Sequence, residues 1–395
     1  MTSELPVNVL FVHHCNDLYG ADFGLLHSIQ TLDRTKYRPF VILPSDTPDG
    51  PLAAELERLH VEFRFMPLGI LRRKYLSPGG VFGMFRDMSL AVIKLALFMR
   101  KMSVRIIYVN TAVSVSGAIA GRLAGGKVVW HIREILSLPA PARRGLHFAI
   151  SRLAHRIVCV SQAVEDSILK DQPSAADKCV LVYNAVDLPI NSTTEADAMA
   201  LRAKLGIPIG APIVGMIGRV THWKGQDVLV KAAASILHDF PNTYFLAVGS
   251  VFSDERHYLT DLQSEIANLH LEERFFLMDY ERNVAAIYTC LDVFVMASKK
   301  PEPFGRVTVE AMLCGRPVVG TAHGGTTELV HEGVHGFLVE PDNPAQLASA
   351  ISLLLADPEL RQRMGKAGRE RALTQFGLPR YGAQLGSIFD QLTLG

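Results

Sequence analysis

The sequence predicts two doubly wound α/β domains in tandem, and three observations carry that prediction. Short β-branched runs alternate with helix-length segments along most of the 395 residues, the pattern of a parallel sheet covered on both faces. The alternation lapses once, over 184–200, where Asn, Ser, Thr and Pro take over, and then restarts. The length also exceeds a single typical domain of about 150 residues.

In the first half, Val7–Val12, Arg38–Leu43, Val61–Phe65, Arg105–Val109, Lys127–Trp130 and Arg156–Val160 read as strands. Helical patterns follow them, as at Ala21–Leu32 and Ser161–Leu169. After Cys179–Val182 comes the interruption, read as the interdomain linker over 186–200. The second half restarts with strands at Ile213–Ile217, Thr243–Val248, Arg274–Leu277, Val293–Met296 and Pro317–Gly320. Helices are expected at Lys224–His238, Glu255–Asn268, Arg306–Cys314 and Pro344–Leu355, and a short hairpin at Gly333–Val339. The domains are therefore expected at 1–185 and 201–377, with a final helix over 378–395 packing back on the first. In such sheets ligands sit outside the carboxyl ends of the strands, and the two edges are expected to face each other across a cleft.

Composition narrows the function classes. Hydrophobic residues at 49% and charged residues at 20% describe a globular protein and exclude disorder, collagen and a disulfide scaffold. A net charge of +1 is too balanced for a protein that coats nucleic acid. Cys15, Cys159, Cys179, Cys290 and Cys314 are scattered without a C-x-x-C pair, which argues against a zinc site or disulfide framework and for a reducing cytoplasm. The start MTSELPVNVLFVHH lacks a basic n-region, so no signal peptide is expected, and no apolar run reaches the length of a spanning helix.

Charge is unevenly placed: +6 over residues 1–190 and −5 over 191–395. Residues 70–105 hold eight basic side chains (Arg72, Arg73, Lys74, Arg86, Lys94, Arg100, Lys101, Arg105) against Asp87 alone, interleaved with apolar residues. Two readings stand. One is an amphipathic helix on an anionic membrane surface, which makes the protein peripheral on the inner face of the cytoplasmic membrane. The other is a helix packed on a sheet, its Lys and Arg stems reaching to water.

The chemistry concentrates in the second half. Glu302-Pro303-Phe304-Gly305-Arg306-Val307-Thr308-Val309-Glu310 follows a strand and opens a helix at Gly305. A helix start attracts phosphate or hydroxyl oxygens. Two carboxylates eight residues apart across it suit two hydroxyl-bearing groups flanking a diphosphate, such as a sugar and a ribose. The plainer alternative is a capping Glu302 and a solvated Glu310. Gly218-Arg219 ends another strand, and Lys224-Gly225 opens the next helix, so one loop holds a fork and a point charge for a diphosphate. Salt bridges to Asp227 or Glu328 are the alternative. Gly315–Val319 and Gly324-Gly325-Thr326-Thr327-Glu328 form a further strand and turn.

Together these motifs resemble the retaining glycosyltransferases of family 4, which have the GT-B fold of two Rossmann-like domains. The family pattern G-R-x-x-x-x-K-G, E-x7-E, G-x-P-V-V and G-G-x-x-E is matched by Gly218/Arg219/Lys224/Gly225, Glu302/Glu310, Gly315–Val319 and Gly324–Glu328. Val182–Asp187 resembles V-x-N-G-V-D, with Ala185 in the glycine's place. The resemblance covers most of 180–375, and the first half matches more loosely.

The resemblance implies roles. Arg219 and Lys224, with Gly218, bind the donor diphosphate; Glu310 holds the ribose hydroxyls; Glu302 with the amides of Phe304 and Gly305 holds the transferred sugar, beside Arg306 and Val307. Backbone around Met278, Asp279 and Tyr280 contacts the base. Gly20 in Tyr19-Gly20-Ala21-Asp22 stands for a glycine-rich loop after the first strand, and His131 for the active-site histidine, to be weighed against a buried, satisfied one. No D-x-D occurs, so Arg219, Lys224 and the helix start are expected to replace a metal, and no cofactor is expected. The implied enzyme transfers a hexose, from UDP more than GDP, to a saccharide or lipid-linked saccharide acceptor. A GDP-mannose-dependent mannosyltransferase, a GT-B nucleotide-sugar epimerase and a noncatalytic subunit are the alternatives.

Overall fold

A computed structural model describes residues 5–70, 78–188, 195–251, 255–281 and 283–394, with the side chains of 78–82 and 394 left out. Arg72, Arg73 and Lys74 of the basic cluster, and 189–194 of the expected linker, lie outside the described residues. The chain divides into two compact units, Met1–Ala185 with Leu378–Gly395, and Val186–Gly377.

The first unit runs β1 (Val7–Val12), α1 (Gly20–Gln30), β2 (Tyr37–Pro44), α2 (Pro51–Arg58), β3 (Glu62–Met66), α3 (Pro78–Lys101), β4 (Ile106–Val109), α4 (Val115–Leu123), β5 (Lys127–Ile132), α5 (Ala140–Leu153), β6 (Arg156–Cys159), α6 (Gln162–Asp171) and β7 (Cys179–Leu181). Its seven strands lie in the order β3-β2-β1-β4-β5-β6-β7, all parallel. Runs such as Val9-Leu10-Phe11-Val12 and Ile106-Ile107-Tyr108-Val109 are wholly buried because crossover helices cover both faces. On one face Leu25 and Ile29 of α1 and Leu52 and Leu56 of α2 pack on Val9, Phe11 and Tyr108.

The second unit runs α7 (Glu195–Lys204), β8 (Ile213–Ile217), α8 (Gln226–Asp239), β9 (Tyr244–Val248), α9 (Arg256–Asn268), β10 (Phe275–Met278), α10 (Val284–Cys290), β11 (Val293–Met296), α11 (Arg306–Leu313), β12 (Val318–Thr321), α12 (Thr326–Leu329), β13 (Gly336–Val339), α13 (Pro344–Ala356) and α14 (Pro358–Gln375). Helix α15 (Leu378–Leu394) belongs with the first unit, where Tyr381, Leu385, Ile388 and Phe389 join its core. The second sheet is also all parallel, in the order β10-β9-β8-β11-β12-β13.

Three sequence expectations change. Residues 195–200 of the expected linker open α7 instead of running as coil. The Gly333–Val339 hairpin is instead a parallel edge strand, β13 on β12, reached by a crossover through the short α12; the turn before it is held by Gly333 N–H to Gly336 O, 2.9 Å, and Val334 N–H to His331 O, 3.1 Å. Residues 91–99, read as a helix on a membrane surface or on a sheet, pack one face in the first unit, where Ala91, Val92, Leu95, Ala96 and Met99 are buried.

Candidate active site

In the second sheet the strand order reverses at β8, whose neighbours β9 and β11 are entered from opposite directions, so the loops after β8 and β11 open a crevice at its carboxyl edge. The loop after β8 carries Gly218, Arg219 and Lys224, and the loop after β11 carries Ser298 and Glu302. Two glycines let the loops at this edge touch, one after β8 and one after β12. Gly225, at φ +79, N-caps α8 so close to β11 that a Cβ there would lie 2.0 Å from the Ala297 carbonyl. Gly324, at φ +61, is bridged to Glu302, and a Cβ would lie 2.5 Å from the Glu302 carbonyl.

The result is a buried ion pair. Lys224 Nζ donates to Glu302 Oε1 at 2.6 Å, with side chains 14% and 6% exposed. Ser298 Oγ donates to the same oxygen. Lys224 also lies over the Trp223 ring, 4.3 Å from its centroid. Such pairs carry a desolvation cost, so they are weak evidence for stability. Arg219 is exposed on the same loop, its carbonyl accepting Gln226 Nε2 at 2.9 Å. For Lys224 the partner is Glu302, and Asp227 is held by Lys299 at 2.6 Å.

One turn further, α11 starts from Gly305 at φ +98. Its first N–H groups, including those of Arg306 and Val307, lack carbonyl partners within the helix. Phe304 is buried edge-on against Phe376, centroids 5.7 Å apart, so its main chain rather than its ring is offered at the helix start. Glu310 is not solvated: it is buried, with Oε1 accepting Arg306 Nε at 2.7 Å and Oε2 accepting Tyr288 Oη at 2.8 Å. Burial and the neighbouring carboxylate push the Tyr288 phenol far above its usual value, so it stays a donor. Glu302 likewise caps no helix; Gly305 does. Met278 ends β10, its carbonyl accepting Gly249 N–H at 3.0 Å, and Tyr280 stands exposed just beyond.

The first unit holds Gly20 and His131, and each differs from expectation. Gly20 opens α1 with open space around it, so nothing packed within this unit requires a glycine there. Asp22, the acidic residue of that loop, is buried, accepts Tyr19 N–H at 2.7 Å and pairs with His13 Nε2 at 2.5 Å. His131 lies one residue before the end of β5 and is fully buried, bonded through Nδ1 to Tyr108 Oη and, at 3.1 Å, to Arg133 Nη2, while its Nε2 has no hydrogen-bond partner. Burial and then the Arg133 charge hold it neutral. It is thus buried but satisfied at one ring nitrogen only, and Arg133 and Glu134 follow directly beyond the strand. Arg133 bonds Asn110 Oδ1 at 2.9 Å and Asn184, while Glu134 accepts Ala112 N–H at 3.2 Å.

Sequence reasoning missed Ser298 and Tyr288, which hold the two glutamates. Ser298 carried a weak signal, sitting two residues beyond β11; Tyr288, inside α10, carried none.

These features define a class, which comparison with known families establishes. Residues 197–371 match the model "Glycosyl transferases group 1" and residues 20–189 the model "Glycosyltransferase Family 4". The chain belongs to this family of transferase enzymes, and its two parallel-sheet units are those of the GT-B fold. Among solved structures, Anabaena HepE in complex with UDP and glucose is similar at 27% identity and TM-score 0.83, over 98% of this chain and 100% of HepE; HepE has also been solved with UDP-glucose. Spore coat protein SA of Bacillus subtilis is 32% identical over 245 residues, 60% of this chain and 65% of that protein. The 2-deoxystreptamine glucosyltransferase of Streptomyces kanamyceticus is 31% identical over 216 residues, 54% of each. The chain thus spans less than two thirds of the length of these curated relatives.

Proposed function

We propose that the protein transfers a hexose, with retention, from a UDP-glucose-like donor to a saccharide or lipid-linked saccharide. The observation that carries the reading is the convergence of Lys224, Glu302 and the start of α11 at the switch point of the second sheet. The likeness to HepE supports UDP and glucose over GDP and mannose. The five free thiols agree with a cytoplasmic setting.

In this reading Arg219 and Lys224 bind the diphosphate, and the main chain near Gly218 lets it approach. Met278 and Tyr280 flank the base. Glu310, oriented by Tyr288 and Arg306, takes the ribose hydroxyls. Glu302, oriented by Ser298, takes hydroxyls of the transferred sugar, with the amides of Phe304, Gly305, Arg306 and Val307 beside it. The bond from the anomeric carbon to the diphosphate breaks, the acceptor oxygen bonds to that carbon from the same face, and the leaving diphosphate accepts the acceptor's proton. Arg219, Lys224 and the helix start stabilise the charge that develops on the leaving group, without a metal. Neither glutamate acts as a nucleophile, since both carboxylates are engaged by hydrogen bonds.

The test is product analysis by NMR with UDP-glucose and saccharide acceptors in the presence of EDTA. An α-linked glucoside supports the reading. An inverted product, activity restored only by a divalent metal, mannose transfer from GDP-mannose, or conversion of the sugar nucleotide without acceptor each contradicts it.

A further inference from the structure

Three neighbouring strands of the first sheet, β5, β6 and β7, start from a cluster of cations. Lys127 and Arg156 open β5 and β6, and Lys178 stands immediately before β7. Arg122 and Arg152 lie in the last turns of α4 and α5. His155 sits between α5 and β6, half-buried like Lys127, Arg156 and Lys178. Every charge that acts on its ring is positive: Arg122, Lys127, Lys178 and Arg156. Those that act on Lys178 are Arg122 and Arg152. Elsewhere on α5 Arg143 pairs with Asp171 at 2.8 Å, but among the described residues no carboxylate pairs with any of these five cations. Lys178 Nζ donates to the Ser151 carbonyl at 2.6 Å and Arg156 Nη1 to that of His155 at 3.2 Å. A helix C-terminus supplies only about half a negative charge, so the carbonyls of α5 do not balance the cluster.

Donors also outnumber acceptors at its centre. Val128 N–H donates to His155 Nδ1 at 2.9 Å, and Arg122 Nη1 lies 2.6 Å from Nε2. A neutral imidazole accepts at one nitrogen and carries a proton on the other. In either tautomer, therefore, one ring N–H confronts another N–H. Burial and then the surrounding cations, Arg122 first, lower His155 to about 4, and burial followed by Arg122 and Arg152 lowers Lys178. Gathered cations and an N–H with no acceptor are the complement of an anion. The cations converge on one imidazole, which suits a small ion better than a strand of nucleic acid, and guanidinium and ammonium groups together match phosphate oxygens. This amino edge is the opposite end of the sheet from the carboxyl edge where α/β sheets take their substrates.

We propose that the cluster is an accessory site for a small, multiply charged phosphate anion, held by Arg122, Lys127, Arg156 and Lys178, with a ring N–H of His155 donating to it. The inference goes beyond the proposed transfer and does not rest on it.

The test is calorimetric titration of the full chain with inorganic diphosphate at low salt. In the proposed function a diphosphate also meets Arg219 and Lys224, so Lys224→Ala is titrated beside the wild type and is expected to keep the amino-edge site. Arg122→Gln with Lys178→Gln weakens that site about tenfold or more. Lys127→Gln alone weakens it about fivefold, the effect of removing one unit charge about 4 Å from the anion in water. Circular dichroism checks that the variants fold, and Arg152→Gln, at an exposed position, repeats the test if the double variant does not. The second readout is the His155 ring in proton NMR, assigned with His155→Gln. Its pKa rises from about 4 on adding diphosphate, and not on adding sodium chloride of equal ionic strength. Loss of all diphosphate binding in Lys224→Ala, wild-type affinity in the Arg122/Lys178 and Lys127 variants, or a His155 pKa that diphosphate leaves unchanged overturns the proposal. So does binding to phosphatidylglycerol vesicles without binding to diphosphate.

Discussion

Lys224 and Glu302 lie 78 positions apart in the chain and 2.6 Å apart in the fold, and each depends on the other. Removing Lys224 leaves a buried carboxylate uncompensated and, in the proposed reading, takes a cation from the diphosphate. We expect Lys224→Ala to lower kcat at least about a hundredfold, the usual cost of losing a donor aimed at developing charge. Steady-state assay checks this, and wild-type turnover would remove Lys224 from the site. Gly225→Ala is expected to lower the melting temperature markedly in a thermal scan, because its Cβ meets the Ala297 carbonyl and φ is +79. At this scale the sequence singled out Arg219, Lys224, Glu302 and Glu310 by their motifs, and the fold brings Lys224 and Glu302 into contact. It was silent where a partner arrives from a distant element, as with Tyr288 on Glu310. At His131 it showed the place near a strand end but not the burial, nor that only Nδ1 of the ring finds partners.

Elements were the most legible level, since a parallel sheet buried on both faces writes itself as apolar runs between amphipathic helices. Strands β8, β9 and β11 were read within a residue of their bounds for that reason. β13 was misread because Gly333 and Gly336 signal a tight turn, whereas strand direction depends on a four-residue crossover helix that periodicity does not resolve. The same edge carries a pH prediction. Burial and then the neighbouring Arg371 lower His335 to about 4, and His331 N–H donates to its Nδ1 at 3.1 Å. In the first unit burial and then the Arg122 charge lower His155 to about 4, with Val128 N–H donating to Nδ1 at 2.9 Å. Both fold as neutral rings, so the unfolded chain binds more protons between its own pKa, about 6.5, and the folded values. Stability is present above that window and is lost as pH falls through it. Melting temperatures measured from pH 7 to 4 should therefore decline, and His335→Gln should flatten the slope; a flat wild-type profile contradicts this.

At the scale of the whole molecule, the charge is divided between its halves, +6 before residue 191 and −5 after it. A donor that binds the folded state alone stabilises it by mass action, by about 2.7 kcal/mol at a hundred times its Kd. UDP is thus expected to raise the melting temperature of the wild type, and much less that of Lys224→Ala, in a thermal-shift assay. The most direct measurement is calorimetric titration of the full chain with UDP, UDP-glucose and GDP-mannose in EDTA. Saturable binding of UDP and UDP-glucose is expected, weakened strongly by Lys224→Ala, with GDP-mannose far weaker. Binding that needs a divalent metal, preference for GDP-mannose, or no nucleotide binding at all would contradict it.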